Sequence, residues 1–191
     1  MAALDKQPAP PTGGATHGAD DEHDYADGRF LTFLLGGETF ALDILGIKEV
    51  IQYLPCTTVP MMPGFMHGVI NLRGRVVPVI DLRARFGHGT STIGHKTCIV
   101  VLEVGDGDGQ QDIGVIVDAV QQVLQIPGSE IEPPPSFGAR IRTEFIHGMG
   151  KVRDRFVIIL DAEEVLSVEE MESLARLGRD SLEEGTRGHV G

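Results

Sequence analysis

The feature that most constrains the fold of this chain is an internal repeat. The stretch His67–Arg75 reappears 80 residues later as His147–Arg155, with the histidine, the first glycine and both arginines in the same positions. Asp81 and Asp161 match at the same offset, and residues 40–52 resemble residues 113–125. Several matches in the same order are not expected by chance, so we expect the chain to contain two copies of one structural unit.

The composition of the repeated unit favours strands. Tryptophan is absent and aromatic residues make up 5% of the chain, so the core must consist of Val, Ile and Leu, and the β-branched pair favours strands. The 25 glycines and 11 prolines indicate many turns and argue against a helical bundle. The predicted strands are residues 30–35, 39–44, 76–80, 98–104, 113–117 and 157–160. A duplicated unit of five short strands predicts an all-β (mainly β) fold with two barrels packed side by side, because closing a sheet removes its edges.

Composition also suggests where the parts of the chain begin and end. Residues 1–28 are acidic and nearly devoid of large apolar side chains, which predicts a disordered tail. The spacing of Ile47, Val50, Ile51 and Leu54 predicts one or two helical turns. The predicted divisions are a first barrel at 29–90, a second barrel at 95–166, a C-terminal helix at 167–178 opened by a capping box, and a flexible tail at 179–191.

The charge balance excludes several classes of partner. A net charge of −12 argues against binding to nucleic acid or to an anionic membrane surface, since both require clusters of Lys and Arg. No apolar run is long enough to cross a bilayer. Cys56 and Cys98 form no metal-binding pattern, and with no export signal we expect them to be reduced thiols of a cytoplasmic protein. No motif calls for a cofactor or a metal.

No group of residues forms a convincing catalytic pattern. An acid–base dyad of Asp81 and Asp161 would make the chain a hydrolase, but their sequence context suits residues at strand ends better. His67 and His147 each precede a glycine and are interpreted as turn residues. Glu49 and Arg73 offer a carboxylate and a guanidinium for recognition, because arginine binds bidentately, although an ordinary surface ion pair would use the same residues.

Six segments of the chain match a known family. They are Phe40–Ile44, Ile47–Val50, Pro63–Gly74, Val77–Arg83, Gly114–Asp118 and Glu144–Gly148. The chain resembles the CheW family of bacterial chemotaxis adaptors, also called coupling proteins, from about Phe30 to Leu177. The resemblance implies two five-stranded SH3-like barrels with short helices, and no catalysis.

The resemblance also implies partners and sites. The family links the cytoplasmic tip of methyl-accepting receptors to the regulatory domain of the histidine kinase CheA, in arrays at the inner membrane and without membrane insertion, and its members also contact further CheW copies. The implied receptor-binding residues are Ile47, Glu49, Gly68, Asn71, Arg73 and Val123. The implied kinase or ring contacts are Glu132 and Phe137. An adaptor of another chemosensory system, such as twitching motility, is an alternative with the same fold and site.

Overall fold

The computed structural model describes residues 24–105, 107–136, 141–167 and 169–170, and these residues are mostly strand. The strands are β1 (Gly28–Leu35), β2 (Glu38–Asp43), β3 (Ile47–Gln52), β4 (Met66–Leu72), β5 (Arg75–Asp81), β6 (Cys98–Val104), β7 (Gln111–Val117), β8 (Ala119–Ile126), β9 (Ile131–Glu132), β10 (Ile146–Val152) and β11 (Arg155–Leu160). Two short helices, α1 (Leu82–Arg85) and α2 (Ala162–Val165), follow β5 and β11. The all-β prediction is confirmed.

The strands form two sheets with the same internal order. One sheet has the order β3-β6-β7-β5-β4, and the other has the order β8-β1-β2-β11-β10-β9. In each sheet a parallel pair, β5 with β7 or β11 with β2, joins strands from different parts of the chain, and the remaining pairs are antiparallel. Five strands of one sheet therefore have equivalents in the other, as the repeat predicts, and the two-residue β9 is an addition.

The sheets do not follow the predicted division into barrels at 29–90 and 95–166. The hairpin β1-β2 pairs with strands of the second repeat, and the hairpin β6-β7 pairs with strands of the first. Each sheet therefore combines a hairpin from one repeat with three equivalent strands from the other, and β9 adds a fourth to the six-stranded sheet. Among the described residues, the two end strands of each sheet do not pair with each other along a ladder. In the five-stranded sheet, a single bridge between Thr57 and Val69 joins the segment after β3 to β4.

Continuous apolar strands place side chains in three cores. Alternate residues of β6 illustrate this: Ile99 and Val101 face the interior of the five-stranded sheet, whereas Val100 and Leu102 face the core between the two sheets. In β2, Ala41 likewise faces the core of the six-stranded sheet. A strand that is buried on both faces loses the polar alternation of a surface strand, and the central core joins the two sheets into one unit.

The predicted helical turns at Ile47–Leu54 are wrong. Residues 47–52 form β3, which pairs with β6 and has alternating half-buried and exposed side chains. Ile47 and Ile51, four residues apart, satisfy both periodicities, and pairing with the apolar β6 decides in favour of the strand. Val50, which the helical spacing would bury, is 41% exposed.

The predicted tail at 179–191 and residues 1–23 of the predicted N-terminal tail lie outside the described residues, whereas residues 24–28 are ordered. The ring of Tyr25 packs edge-on against His147, with 5.3 Å between centroids, and Asp27 accepts a hydrogen bond from the backbone N–H of Gly128. The disorder prediction is therefore wrong for residues 24–28, because Tyr25 supplies an apolar ring to the core. Ser167 accepts a hydrogen bond from the backbone of Glu170, as in a capping box, while most of 167–178 lies outside the described residues.

Candidate functional site

Glu49 and Arg73 bind each other. Glu49 lies on β3 and Arg73 follows β4, and these are the two end strands of the five-stranded sheet. The two terminal nitrogens of Arg73 donate to the two carboxylate oxygens of Glu49 at 2.6 and 2.8 Å. The hydrogen bond from Arg73 lowers the pKa of Glu49 and raises that of the arginine. The Arg73 side chain remains 74% exposed, whereas that of Glu49 is 24% exposed. The pair thus presents an oriented guanidinium at the surface.

The turn that holds Arg73 has an unusual backbone. Arg73 and Gly74 have φ values of 51° and 83°, which makes the two-residue connection between β4 and β5 a type I′ turn. Arginine is a poor choice for a left-handed position, where Asn, Asp or Gly is usual. Asn71 compensates by accepting a hydrogen bond from the N–H of Gly74 at 2.8 Å. The predicted site residue Asn71 therefore shapes the turn that displays Arg73.

Gly68 is buried and fills a structural role. Its φ is +151°, and a Cβ atom there would lie 2.5 Å from the carbonyl oxygen of Thr57. Thr57 exchanges two backbone hydrogen bonds of 2.9 Å with Val69. The close approach of two backbones requires glycine at this position. Gly68 thus contributes to the site by allowing the segment after β3 to pair with β4.

Further charged groups surround Arg73 and Glu49. Asp112 on β7, whose side chain is 8% exposed, pairs with Lys48 at 2.7 Å and with Arg75 at 2.8 Å. Lys48 also contacts Glu103. The hydrogen bond to Asp112 is the largest cause of the raised pKa of Lys48. The sequence offered no signal for this network, because its members lie on four different strands and come together only when the sheet forms.

The remaining predicted receptor contacts lie on two sheets. Ile47, at the start of β3, is half-buried and packs against the central core. Val123 lies on β8, the end strand of the six-stranded sheet, and is 50% exposed. Glu132, a predicted kinase or ring contact, is exposed on β9 at the other end of the six-stranded sheet, and Phe137 lies outside the described residues. The structure therefore brings Glu49, Asn71 and Arg73 together and leaves Val123 on a separate strand.

The two aspartates of the hydrolase alternative cap different helices. Asp81 accepts hydrogen bonds from the backbone N–H groups of Arg83 and Ala84, and Asp161 does the same in α2. Asp81 is fully buried and also binds the N–H and hydroxyl of Ser91, at 2.7 Å each. Each carboxylate is thus occupied with local backbone groups. The described residues contain no cluster of three or more His, Cys, Asp or Glu side chains that could hold a metal.

The repeated histidines are strand residues and not turn residues as predicted. His67 on β4 lies against Tyr53, with 2.9 Å between the tyrosine oxygen and Nε2, and the rings meet edge-on. His147 on β10 has the same edge-on relation to Tyr25. These are the two tyrosines of the chain, so each of the two equivalent histidines packs against one tyrosine.

Comparisons with known proteins identify the family. A family model described as the CheW-like domain matches residues 29–170. The chain belongs to the CheW-like family. It is 39% identical over 142 residues to the chemotaxis protein CheW of Klebsiella aerogenes, covering 74% of this chain and 83% of the relative. It is 29% identical over 153 residues to CheW of Treponema pallidum, covering 78% and 88%.

A solved structure supports the same assignment. The scaffolding protein TtCheW from Thermoanaerobacter tengcongensis superposes with a TM-score of 0.67 at 37% identity, covering 77% of this chain and 92% of that one. Membership of the CheW-like family makes this chain a chemotaxis scaffold and not an enzyme. Within the described residues, no helix has the length and hydropathy needed to cross a bilayer.

Proposed function

We propose that this chain couples methyl-accepting chemotaxis receptors to the regulatory domain of the histidine kinase CheA, in the cytoplasm at receptor arrays of the inner membrane. The receptor side of the scaffold is the surface around Arg73, Glu49 and Asn71, with Ile47 and Val123 supplying apolar contacts. The kinase side, which also contacts further CheW copies, contains Glu132 and Phe137. The Arg73 surface lies on the five-stranded sheet, and Val123 and Glu132 lie on the two opposite end strands of the six-stranded sheet, so both partners can bind at once.

The bidentate Glu49–Arg73 pair supports the receptor assignment. A guanidinium has five N–H donors, and Glu49 takes one from each terminal nitrogen. The other donors remain available on a side chain that is 74% exposed. Glu49 thus fixes the direction of the guanidinium, so that binding costs less side-chain entropy than it would with a free arginine. Such an oriented group suits a carboxylate or carbonyl oxygen on the helical hairpin of a receptor tip.

The strained turn also favours a binding role. A non-glycine residue with φ of 51° is less stable than glycine would be there. Arg153 occupies the equivalent turn of the second repeat, with φ of 46°, but has no ion pair or hydrogen bond with the described residues. The chain therefore contains two arginines in matched turns, of which only one is oriented by a carboxylate. This difference provides an internal control.

Co-sedimentation with a receptor cytoplasmic fragment and a CheA regulatory domain tests the proposal. The variant Arg73→Ala is expected to remain folded and to lose at least about 30-fold in receptor affinity, as for an anchor residue at the centre of an interface. Arg153→Ala is expected to bind both partners as the wild type does. Equal binding by the two variants would contradict the assignment, as would unfolding of Arg73→Ala.

The same experiment separates this proposal from an adaptor role in another chemosensory system. Such an adaptor would share the fold and the Arg73 surface, so partner identity is the discriminating observation. If the wild-type protein binds neither the receptor fragment nor the CheA domain, the coupling role is wrong.

A further inference from the structure

A second group of charged residues lies where the two repeats meet. Arg85 ends α1, and its side chain is only 4% exposed. Its guanidinium carbon lies 4.9 Å from the ring centroid of Phe65 and 4.7 Å from that of Phe145. The two phenylalanines are 80 residues apart and occupy equivalent positions of the repeat. The carbonyl oxygen of Phe65 accepts a hydrogen bond from the backbone N–H of Asp81, and that of Phe145 accepts one from the backbone N–H of Asp161, as the repeat requires.

Glu170 neutralises this buried cation. Its Oε2 accepts from a terminal nitrogen of Arg85 at 2.7 Å, and the Nε–H of Arg85 donates to the carbonyl of Val165 at 3.0 Å. A guanidinium removed from water requires a counter-charge and partners for its donors. The hydrogen bond from Arg85 is the largest cause of the lowered pKa of Glu170. The chain beyond α2 is thereby bound to the junction of the repeats.

The same carboxylate also holds Arg142. Oε1 of Glu170 accepts from a terminal nitrogen of Arg142 at 2.6 Å, and the Arg142 guanidinium carbon lies 4.8 Å from the Phe145 ring centroid. Arg142 directly precedes the 3₁₀ turn Thr143–Phe145, which leads into β10. It therefore marks the end of the connection that starts after Glu132 on β9. One glutamate thus fixes this end of the connection to α1 of the first repeat.

We propose that Glu170 is a positioning residue for the kinase-binding surface, because it holds Arg142 against Arg85 and thereby fixes the 3₁₀ turn that leads into β10, the strand that pairs with Glu132 on β9. This inference rests on the proposed function, which places Glu132 in that surface. Glu170 itself need not touch the kinase. The C-terminal part of the domain then controls kinase affinity through the position of β10 and β9, while the surface around Arg73 on the five-stranded sheet stays as it is.

The variant Glu170→Gln tests the inference in the full-length protein. Glu164→Gln is the matched control, since it makes the same charge change on α2 and the Glu164 side chain has no hydrogen bond or ion pair with the described residues. Glu170→Gln is expected to speed amide hydrogen exchange over residues 141–152 and to weaken binding of the CheA regulatory domain about tenfold, with receptor binding unchanged. The control is expected to match the wild type in all three measurements. Equal loss of receptor and kinase binding by Glu170→Gln would show a general structural role and overturn the inference, as would wild-type kinase affinity.

Arg142→Gln provides a second variant that leaves the Arg85–Glu170 pair in place. If Glu170 acts through Arg142, the two single losses in kinase affinity do not add in the double variant. Additive losses would show that Arg142 contacts the kinase independently of Glu170, and the inference would be wrong. If the wild type binds no kinase domain, the proposed function fails, and the hydrogen-exchange rates alone then test the positioning role. Faster exchange in Glu170→Gln supports that role, and unchanged exchange overturns it.

Discussion

The substitution Gly68→Ala tests the structural role of a residue that the family resemblance assigns to receptor binding. An alanine Cβ would lie 2.5 Å from the carbonyl oxygen of Thr57 and 3.0 Å from Cβ of Cys56, at a φ of +151°. The backbone conformation alone costs a non-glycine residue about 1–3 kcal/mol. Moving Thr57 away would break its two hydrogen bonds to Val69, worth about 1 kcal/mol each. The expected loss in the free energy of unfolding is therefore about 3–5 kcal/mol.

Gly148→Ala, at the equivalent position of the second repeat, is the control. Its Cβ would lie 2.6 Å from Cγ2 of Ile131 and 3.2 Å from the carbonyl oxygen of Glu132, but its φ is outside the left-handed region. The expected loss is about 1–2 kcal/mol, as for overpacking without backbone strain. Urea denaturation followed by far-ultraviolet circular dichroism measures both, and tyrosine fluorescence in a Tyr25→Phe background reports, through Tyr53, on the Thr57 segment. The reasoning is refuted if Gly68→Ala stays within about 0.5 kcal/mol of the wild type, or if both variants lose equally.

Three further predictions concern the caps, the turn and pH. Asp81→Ala removes four hydrogen bonds from a buried site and should lower the free energy of unfolding, measured by urea denaturation, by about 3 kcal/mol. Asp161→Ala removes a more exposed helix cap and should lower it by about 1 kcal/mol. Similar losses in the two variants would contradict the assigned roles. Arg73→Gly should unfold at a higher temperature than Arg73→Ala in calorimetry, because glycine relieves the positive φ, and yet bind receptor no better. The folded-state pKa of Glu49 lies below its unfolded value, so the stability that Glu49 adds is present at neutral pH and is lost as the pH falls through the lowered pKa. The unfolding curves of the wild type and Glu49→Gln should therefore converge in acid. A constant difference down to pH 2 would argue against the pairing of Glu49 with Arg73.

Local features of the fold could be predicted because their causes are local. Gly36 and Gly37, a dipeptide typical of hairpin turns, connect β1 to β2 with φ values of 60° and 85°. The repeat predicted equivalent strands in two sheets, and the sheet orders agree. Asp81 and Asp161 were expected at strand ends, where they begin α1 and α2. In each case the information lies within a few residues or in the self-similarity of the chain.

Long-range features could not be predicted from the sequence for a physical reason. A repeat states which strands are equivalent, but it does not state which copy supplies each strand of a sheet, since a hairpin fits its own repeat or the other equally well. The helix predicted at Ile47–Leu54 failed similarly, because pairing with β6 outweighs a weak local preference. The salt bridges of Asp112 and the junction at Arg85 join residues that are distant in sequence and carry no motif. The pairing of Glu49 with Arg73 was anticipated only as a surface possibility.

The exchange of hairpins between the repeats bears directly on how a scaffold without chemistry can transmit a signal. The sheet that carries Arg73 contains β6-β7 from the second repeat, and the sheet that carries Glu132 contains β1-β2 from the first. Both hairpins also contribute to the central core, through residues such as Phe40 and Leu102. A displacement of one sheet therefore acts on strands that are continuous with the other, since packed interiors deform little. In the proposed coupling role, receptor and kinase would thus bind to two surfaces of a single cooperative unit, and a variant that loosens the central core should weaken both interactions together.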